Sequence, residues 1–246
     1  MKNINILIAL LIFISCSAQK SQKMENSMKN TTVVTYEETN NVDSQLSQIP
    51  DENLRAQIKS QLTKPAYFDL IFNENESNYE KSKSSDLKKD DDLGVQQKFQ
   101  VITMNAQSMI YRNLKTNKYL KGTSLLGKDF LIENEPKKID WKLENEIKKI
   151  GNYNCNKAFA TIDGNLVEAW YANSIPFSGG PADYFGLPGL ILELKTNKKY
   201  YLATSIKESK DVEVVIPAKG KKISEQEFEK LKLESLEEIK NGVFQK

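Results

Sequence analysis

The 246-residue chain contains no His. The Ser-His-Asp and Cys-His nucleophilic arrangements, the HExxH zinc site and the facial-triad iron site are therefore all unavailable. Cysteine is almost as scarce, with Cys16 and Cys155 alone. An excess of one sign of charge is also missing: 35 Lys and Arg stand against 33 Asp and Glu, a formal net charge of +2. Neutralising a phosphate backbone needs a basic surplus, and only Arg55 and Arg112 carry the bidentate fork that reads bases, so no nucleic-acid partner is expected. What remains for chemistry is carboxylates, Lys, Tyr and thiol.

Long apolar runs are limited to one. Met1-Lys2-Asn3 leads into Ile4 to Ile14, too short for a bilayer core that takes ~20 residues and the right length for a signal-peptide core. Residues 1–18 are read as a signal peptide with two possible fates. Cleavage after Ala18 would release a periplasmic protein; alternatively Ile14-Ser15-Cys16 resembles the end of a lipobox, with cleavage before Cys16 and a lipid anchor on it. Both place the chain in the periplasm or on the outer membrane as a lipoprotein. In either case Cys155 is the only thiol of the mature chain, so no intramolecular disulfide forms, and it reads as a small buried residue.

Residues 19–30 are polar and aperiodic, a tether; residues 31–246 read as a single β-rich domain. Thr31–Thr39 is β-branched and aromatic, a first strand, and a helix runs from Pro50 to about Leu62 with Leu54, Ile58 and Leu62 on one face. Ala66–Asn73 alternates as a strand does. The charged stretch Ser82–Leu93 is a loop, in which Asp90-Asp91-Asp92 reads as a solvated run. Further strands are expected at Lys98–Met104, Ser108–Asn113, Lys118–Thr123, Lys128–Glu133 and Asp140–Glu144, the spacing of an antiparallel meander. Asp163-Gly164, between Tyr153–Ile162 and Asn165–Asn173, predicts a type I′ hairpin. Leu190–Lys195, Tyr200–Ile206 and Val212–Ala218 are the last strands expected. Ser224-Glu225-Gln226-Glu227 is a capping box with Ile223 and Phe228 placed as a hydrophobic staple, and Asn241-Gly242 should stop this final helix. The expected fold is mainly β (α+β): one antiparallel curved sheet or half-barrel, with an N-terminal and a C-terminal helix packed on it.

Six of the eleven Gly and three of the seven Pro fall between Gly151 and Gly189, so demands on the backbone concentrate there. Pro188 fixes φ at one corner of a turn and Gly189 can supply positive φ at the next, giving a type II turn into the apolar strand Leu190–Leu194. That turn alone accounts for the motif. The functional alternative is a binding rim made of Trp170, Tyr171, Gly180, Pro181, Gly186, Pro188 and Gly189. The nearby carboxylates Glu168, Asp183 and Glu193 show no paired spacing and read as solvated or ion-paired, so no catalytic residue, metal site or cofactor is expected.

GLPGLILEL at Gly186–Leu194, with Ala169-Trp170-Tyr171, Ile175-Pro176 and Gly180-Pro181 before it and Ile150-Gly151, Tyr153, Cys155 and Lys157-Ala158 further upstream, resembles the GLPGLI family of exported bacterial proteins. The resemblance implies a cell-envelope protein, in some members associated with outer-membrane receptors, and no known activity. The outline of strands with helices on one side is similar to the lipoprotein-carrier (LolA-like) half-barrel, an analogy of architecture alone. Together these lead to an expectation of a non-enzymatic envelope module that binds or carries an apolar or lipid ligand. The alternative is an accessory protein docking on an outer-membrane receptor or export complex; an enzyme ranks third.

Overall fold

The computed structural model describes residues 30–42, 46–83 and 109–244. The signal run with Cys16, the tether, the Asp90–Asp92 run and the strand expected at Lys98–Met104 lie outside the described residues.

The elements follow local chemistry. β1 (Thr31–Asn40) is the β-branched stretch, and α1 (Glu52–Leu62) begins where the Asp51 carboxylate accepts hydrogen bonds from the Asn53 and Leu54 N–H groups at 2.9 and 3.1 Å. β2 (Ala66–Phe72) is joined to β3 (Glu76–Lys81) by a turn in which Asn73 Oδ1 accepts from the N–H groups of Asn75 and Glu76. β3 was not expected, because its sequence ESNYEK carries three charged residues and little alternation. β4 (Met109–Asn113), β5 (Lys118–Leu125), β6 (Lys128–Asn134) and β7 (Lys142–Ile150) follow. β8 (Tyr153–Ile162) and β9 (Asn165–Ala172) form the predicted hairpin, with φ of 48° at Asp163 and 77° at Gly164 as a type I′ turn requires. β10 (Leu190–Lys195), β11 (Lys199–Ser209) and β12 (Lys221–Ile223) complete the sheet before α2 (Glu225–Phe244).

Among the described residues, the twelve strands belong to one sheet in the order β12-β6-β5-β4-β3-β2-β1-β11-β10-β9-β8-β7. It consists of two meanders, β2 to β6 and β7 to β11, and the first strand lies between them. β1 pairs antiparallel with β2 on one side and with β11 on the other, so the start of the chain stitches the halves together. Every neighbour pair is antiparallel except β12, which runs parallel to β6.

That arrangement corrects the expected fold in three ways. The sheet is mixed rather than purely antiparallel, and the N-terminal helix is not packed on it. α1 buries no residue, and Leu54 and Leu62 on its supposed inner face remain 46% and 44% exposed. α2 does not cover the sheet face either: it docks at the edge, where Phe228 meets Phe130 edge-on at 5.5 Å beside Leu125 and Ile132. β12 is the cause, because adding a parallel strand beside β6 delivers the chain to the margin of the sheet. The capping box forms as expected, with Ser224 Oγ accepting from the Glu227 N–H at 3.2 Å and Glu227 Oε2 accepting from the Ser224 N–H at 3.0 Å. Those bonds to the ionised form hold the Glu227 carboxyl below its ordinary value. The helix runs on through Gly242 to Phe244. The strand expected at Val212–Ala218 is irregular; its Val215 backbone is held by the Asn78 side chain, which donates to the Val215 carbonyl and accepts from its N–H.

The main core lies under β1, β9 and β10 and under the segment 173–189 that connects β9 to β10. Leu187, Leu190, Ile191, Leu192 and Leu194 are all at most 1% exposed, so the alternation of a half-exposed strand is replaced by burial on both faces. Phe177 of the connection stacks on Phe72 at 4.0 Å, and the Tyr36 hydroxyl donates to the Ile191 carbonyl across the sheet. Gly189 does not take positive φ. A Cβ there would lie 2.3 Å from the Ala172 carbonyl oxygen, so its role is close approach to the backbone of β9, and the positive φ of the motif, +97°, sits at Gly186.

Candidate functional site

The two meanders and the 173–189 connection meet at a cavity of about 400 Å³. β4, β5 and β6 bring Arg112, Tyr119 and Asn134 to one side; the β8–β9 turn brings Ile162 and Asp163; the connection brings Asp183, Tyr184 and Phe185. Arg112 and Tyr119 are directly opposite one another on β4 and β5, which places both side chains on one face. Tyr119 donates its hydroxyl to Asp183 Oδ1 at 2.6 Å. The Arg112 guanidinium lies 3.9 Å from the centre of the Phe185 ring and 5.9 Å from that of Tyr119. Phe185 is itself anchored, since the Trp141 indole N–H donates to its carbonyl at 2.7 Å. At the rim, the Asn134 amide donates to Glu225 Oε2 at 2.9 Å, so the start of α2 closes that side.

Electrostatics in the cavity run against simple solvation. Burial pushes the Tyr119 hydroxyl well above its ordinary range, and the Asp183 charge with its accepted hydrogen bond pushes further the same way. Tyr119 therefore stays protonated and donating. Burial lowers the Arg112 value, offset by Asp183 and then Tyr119. The cavity thus presents donors, acceptors and aromatic faces within a few ångströms, a lining that suits a compact ligand rich in hydroxyl and amide groups. A second cavity, about 460 Å³, lies between β5 and the irregular 215–219 segment, with Gly122, Thr123 and Pro217 in its lining; among the described residues no aromatic side chain lines it.

The residues singled out from the sequence do not assemble into one exposed rim. Trp170 and Tyr171 are 7% and 3% exposed, Gly180, Pro181 and Gly189 are buried, and only Gly186 and Pro188 face solvent. Trp170 is covered on its outer side by Lys148, 4.3 Å from the ring centre, and by Lys157 at 5.7 Å, while its indole N–H donates to Glu168 Oε1 at 3.0 Å. The three carboxylates considered together are dispersed: Glu168 belongs to the Lys157 network, Glu193 pairs with Lys148 at 2.7 Å, and Asp183 alone reaches the cavity. Cys155 is 0% exposed and burial raises its thiol to about 11. Among the described residues no group of three or more Asp, Glu or Cys could hold a metal ion. Arg112, Tyr119 and Phe185 were missed. Arg112 and Tyr119 are seven residues apart in a meander and Phe185 lies in a distant loop, so only pairing of β4 with β5 and folding of the connection bring them together.

Fold and cavity define a large mixed β-sheet protein with a polar, aromatic pocket at the junction of two meanders. The sequence matches the family of the N-glycanase peptide, N-terminal domain, of the PNGase F-II type, over residues 96–232, more than half of the chain, and the protein belongs to that family. Two solved structures of PNGF-II have the same fold: one in space group C2, with a TM-score of 0.57 and 17% identity over 84% of this chain, and one in P21, with 0.58 and 19% over the same share. They extend well beyond this domain, and the chain spans about a third of their length, 33% and 34%. No match was found among curated proteins. The likeness to PNGF-II replaces the LolA-like half-barrel as the fold comparison. Because the family takes its name from an N-glycanase, which is an enzyme, the expected non-enzymatic carrier, with its accessory-protein alternative, does not stand.

Proposed function

We propose that this chain works on N-glycans as a domain of an N-glycanase-type enzyme, with the Arg112–Tyr119–Asp183 pocket holding a sugar of the glycan. Membership of the N-glycanase N-terminal-domain family is the observation that carries this reading. The pocket supports it in size and chemistry. About 400 Å³ accommodates one or two sugar rings, within the range of roughly 300–1,000 Å³ usual for small-molecule sites. Sugars offer hydroxyl groups that donate and accept together with faces of C–H bonds, and the pocket answers with Asp183, Arg112 and Tyr119 for the former and the Tyr184 and Phe185 rings for the latter. Export, expected from the apolar run Ile4–Ile14, would place the domain where extracellular glycoproteins are met.

The test is retention of an N-glycosylated peptide by immobilised protein, beside the same peptide without its glycan. The glycosylated form is expected to be retained selectively, and Asp183→Asn, which removes the acceptor charge while keeping the shape, is expected to weaken that retention. Equal retention of the two peptides overturns the proposal.

A further inference from the structure

The sheet has two edges, and they are treated differently. At the β12–β6 margin α2 docks through Phe228. β7 forms the opposite edge, and among the described residues nothing pairs with its outer side. It is a long edge, Lys142–Ile150, on which Leu143 and Ile147 are 58% and 68% exposed. A row of unpaired backbone N–H and C=O groups beside exposed apolar side chains is a template for another strand. Pro and charges of a single sign commonly guard such edges; β7 contains no Pro, and its charges are mixed, Lys142, Glu144, Glu146, Lys148 and Lys149. The register of β7 on β8 slips between Leu143 and Ile147, and this bulge turns Glu144 and Glu146 onto one cation, Lys157, at 3.3 and 3.1 Å. Lys148 lies on that same face, since it and Lys157 both stand over the Trp170 ring, which leaves Asn145 and Ile147 on the other. The side chains of Glu146 and Lys148 are 61% and 34% exposed, so each has room for a second ion partner.

The order of these charges decides the occupant. When two copies of an edge strand pair antiparallel about a two-fold axis, one residue faces its own copy and the residues on either side of it exchange partners. Centred on Ile147, the pairing sets Glu146 opposite Lys148 twice, Asn145 opposite Lys149 and Glu144 opposite Ile150, with no like charges opposed. Centres at Glu144, Glu146, Lys148 or Lys149 set a charge against itself, and a centre at Asn145 sets Glu144 against Glu146. The strand is thus complementary to a second copy of itself in one register.

We infer that β7 is a self-recognition edge: two copies of this chain join β7 to β7 antiparallel across a two-fold axis at Ile147, making one continuous sheet held by backbone pairing, by the two Ile147 side chains and by reciprocal Glu146–Lys148 ion pairs. The test is sedimentation velocity of the purified chain from about 1 to 500 µM, the range suited to an interface at the small end of protein contacts. The mass is expected to move from one copy to two as concentration rises, and Ile147→Lys, which opposes two ammonium groups on the axis, is expected to stay monomeric throughout. Crosslinking then reads the register. In a Cys16→Ser background the native thiol is Cys155, which is 0% exposed. Ile147→Cys brings two thiols directly opposite one another, with Cα atoms about 4.5–5.5 Å apart, as a disulfide requires. Leu143→Cys is the control: four residues from the axis, its two copies stand about 25 Å apart. On oxidation with diamide, Ile147→Cys is expected to form a covalent dimer about tenfold or more faster than Leu143→Cys, because only there does pairing raise the effective concentration of the thiols. A chain that is monomeric throughout, a dimer that survives Ile147→Lys, or crosslinking of Leu143→Cys as fast as Ile147→Cys overturns the inference. The concentration series on the unaltered chain and the two cysteine variants decide it even if Ile147→Lys does not fold.

Discussion

Substituting Gly189 by Ala separates two roles for the Gly/Pro-rich segment, that of seating a central strand and that of lining a surface. The added Cβ would lie 2.3 Å from the Ala172 carbonyl oxygen, 2.7 Å from its carbon and 2.9 Å from the Asn173 nitrogen. All three are backbone atoms, and Ala172 is paired to Leu190, the first residue of β10. Nothing flexible can yield, so β10 must move away from β9 by a sizeable fraction of an ångström, disturbing Leu190 and Ile191, both 0% exposed. Overpacking of this kind costs typically 1–3 kcal/mol, and a clash of backbone with backbone belongs at about 3 kcal/mol or above. For a domain of this size that lowers Tm by roughly 6–12 °C. Gly164→Ala is the control: its φ is +77° but its Cβ would meet nothing within 4 Å, so only the left-handed conformation is taxed, at about 1–2 kcal/mol. Urea unfolding of the two variants beside the unaltered protein reads the difference directly. If Gly189→Ala unfolds within about 0.5 kcal/mol of the unaltered protein, or costs no more than Gly164→Ala, the close-approach argument is wrong.

Two further outcomes are expected. Asn78, 1% exposed, satisfies both polar groups of the Val215 backbone; Asn78→Ala strands them and is expected to destabilise the fold by about 2–4 kcal/mol, with an effect below about 1 kcal/mol in urea unfolding counting against a structural role for that pair. Cys155 should resist a thiol reagent near pH 8 in the folded protein and react promptly in denaturant; because burial raises its value from 9.0 to about 11, the folded state retains a proton that the unfolded chain loses, so stability is complete below about 9 and declines as pH rises toward 11, in the same direction as the buried Tyr36, Tyr79, Tyr119 and Tyr201. Stoichiometric labelling of native protein within minutes, or stability that rises over that pH range, contradicts it.

Much of the secondary structure was legible because its causes are local. Ser224 and Glu227 sit at the spacing of a capping box and form one; Asp163-Gly164 tolerates positive φ at both positions and turns the hairpin. Local causes failed where tertiary contacts outweigh them. Val212–Ala218 has the composition of a strand, but its polar backbone is partnered by the Asn78 side chain rather than a neighbouring ladder. Leu54 and Leu62 share a helix face, yet that spacing says only which side would be buried, not that anything arrives to bury it. The site was harder still. Trp170 and the Gly/Pro residues stand out in composition because the core needs them, whereas Arg112, an ordinary residue in the string MIYRN, matters only through the rings and carboxylates that come to it.

The sequence by itself determined the strand-rich character of the domain, its hairpin and capped helix, and the tools it lacks, since turn chemistry, side-chain period and composition act over a few residues. Only the tertiary structure decided that β1 joins two meanders, that β12 sends α2 to the edge, and that Arg112, Tyr119, Asp183 and Phe185 share one cavity. Strand order and the path of the 173–189 connection are settled by packing between residues far apart in the chain, as in the pairing of Thr31 with Ser209 and the bond from Tyr36 to Ile191, and no local signal encodes which distant partner a strand will find.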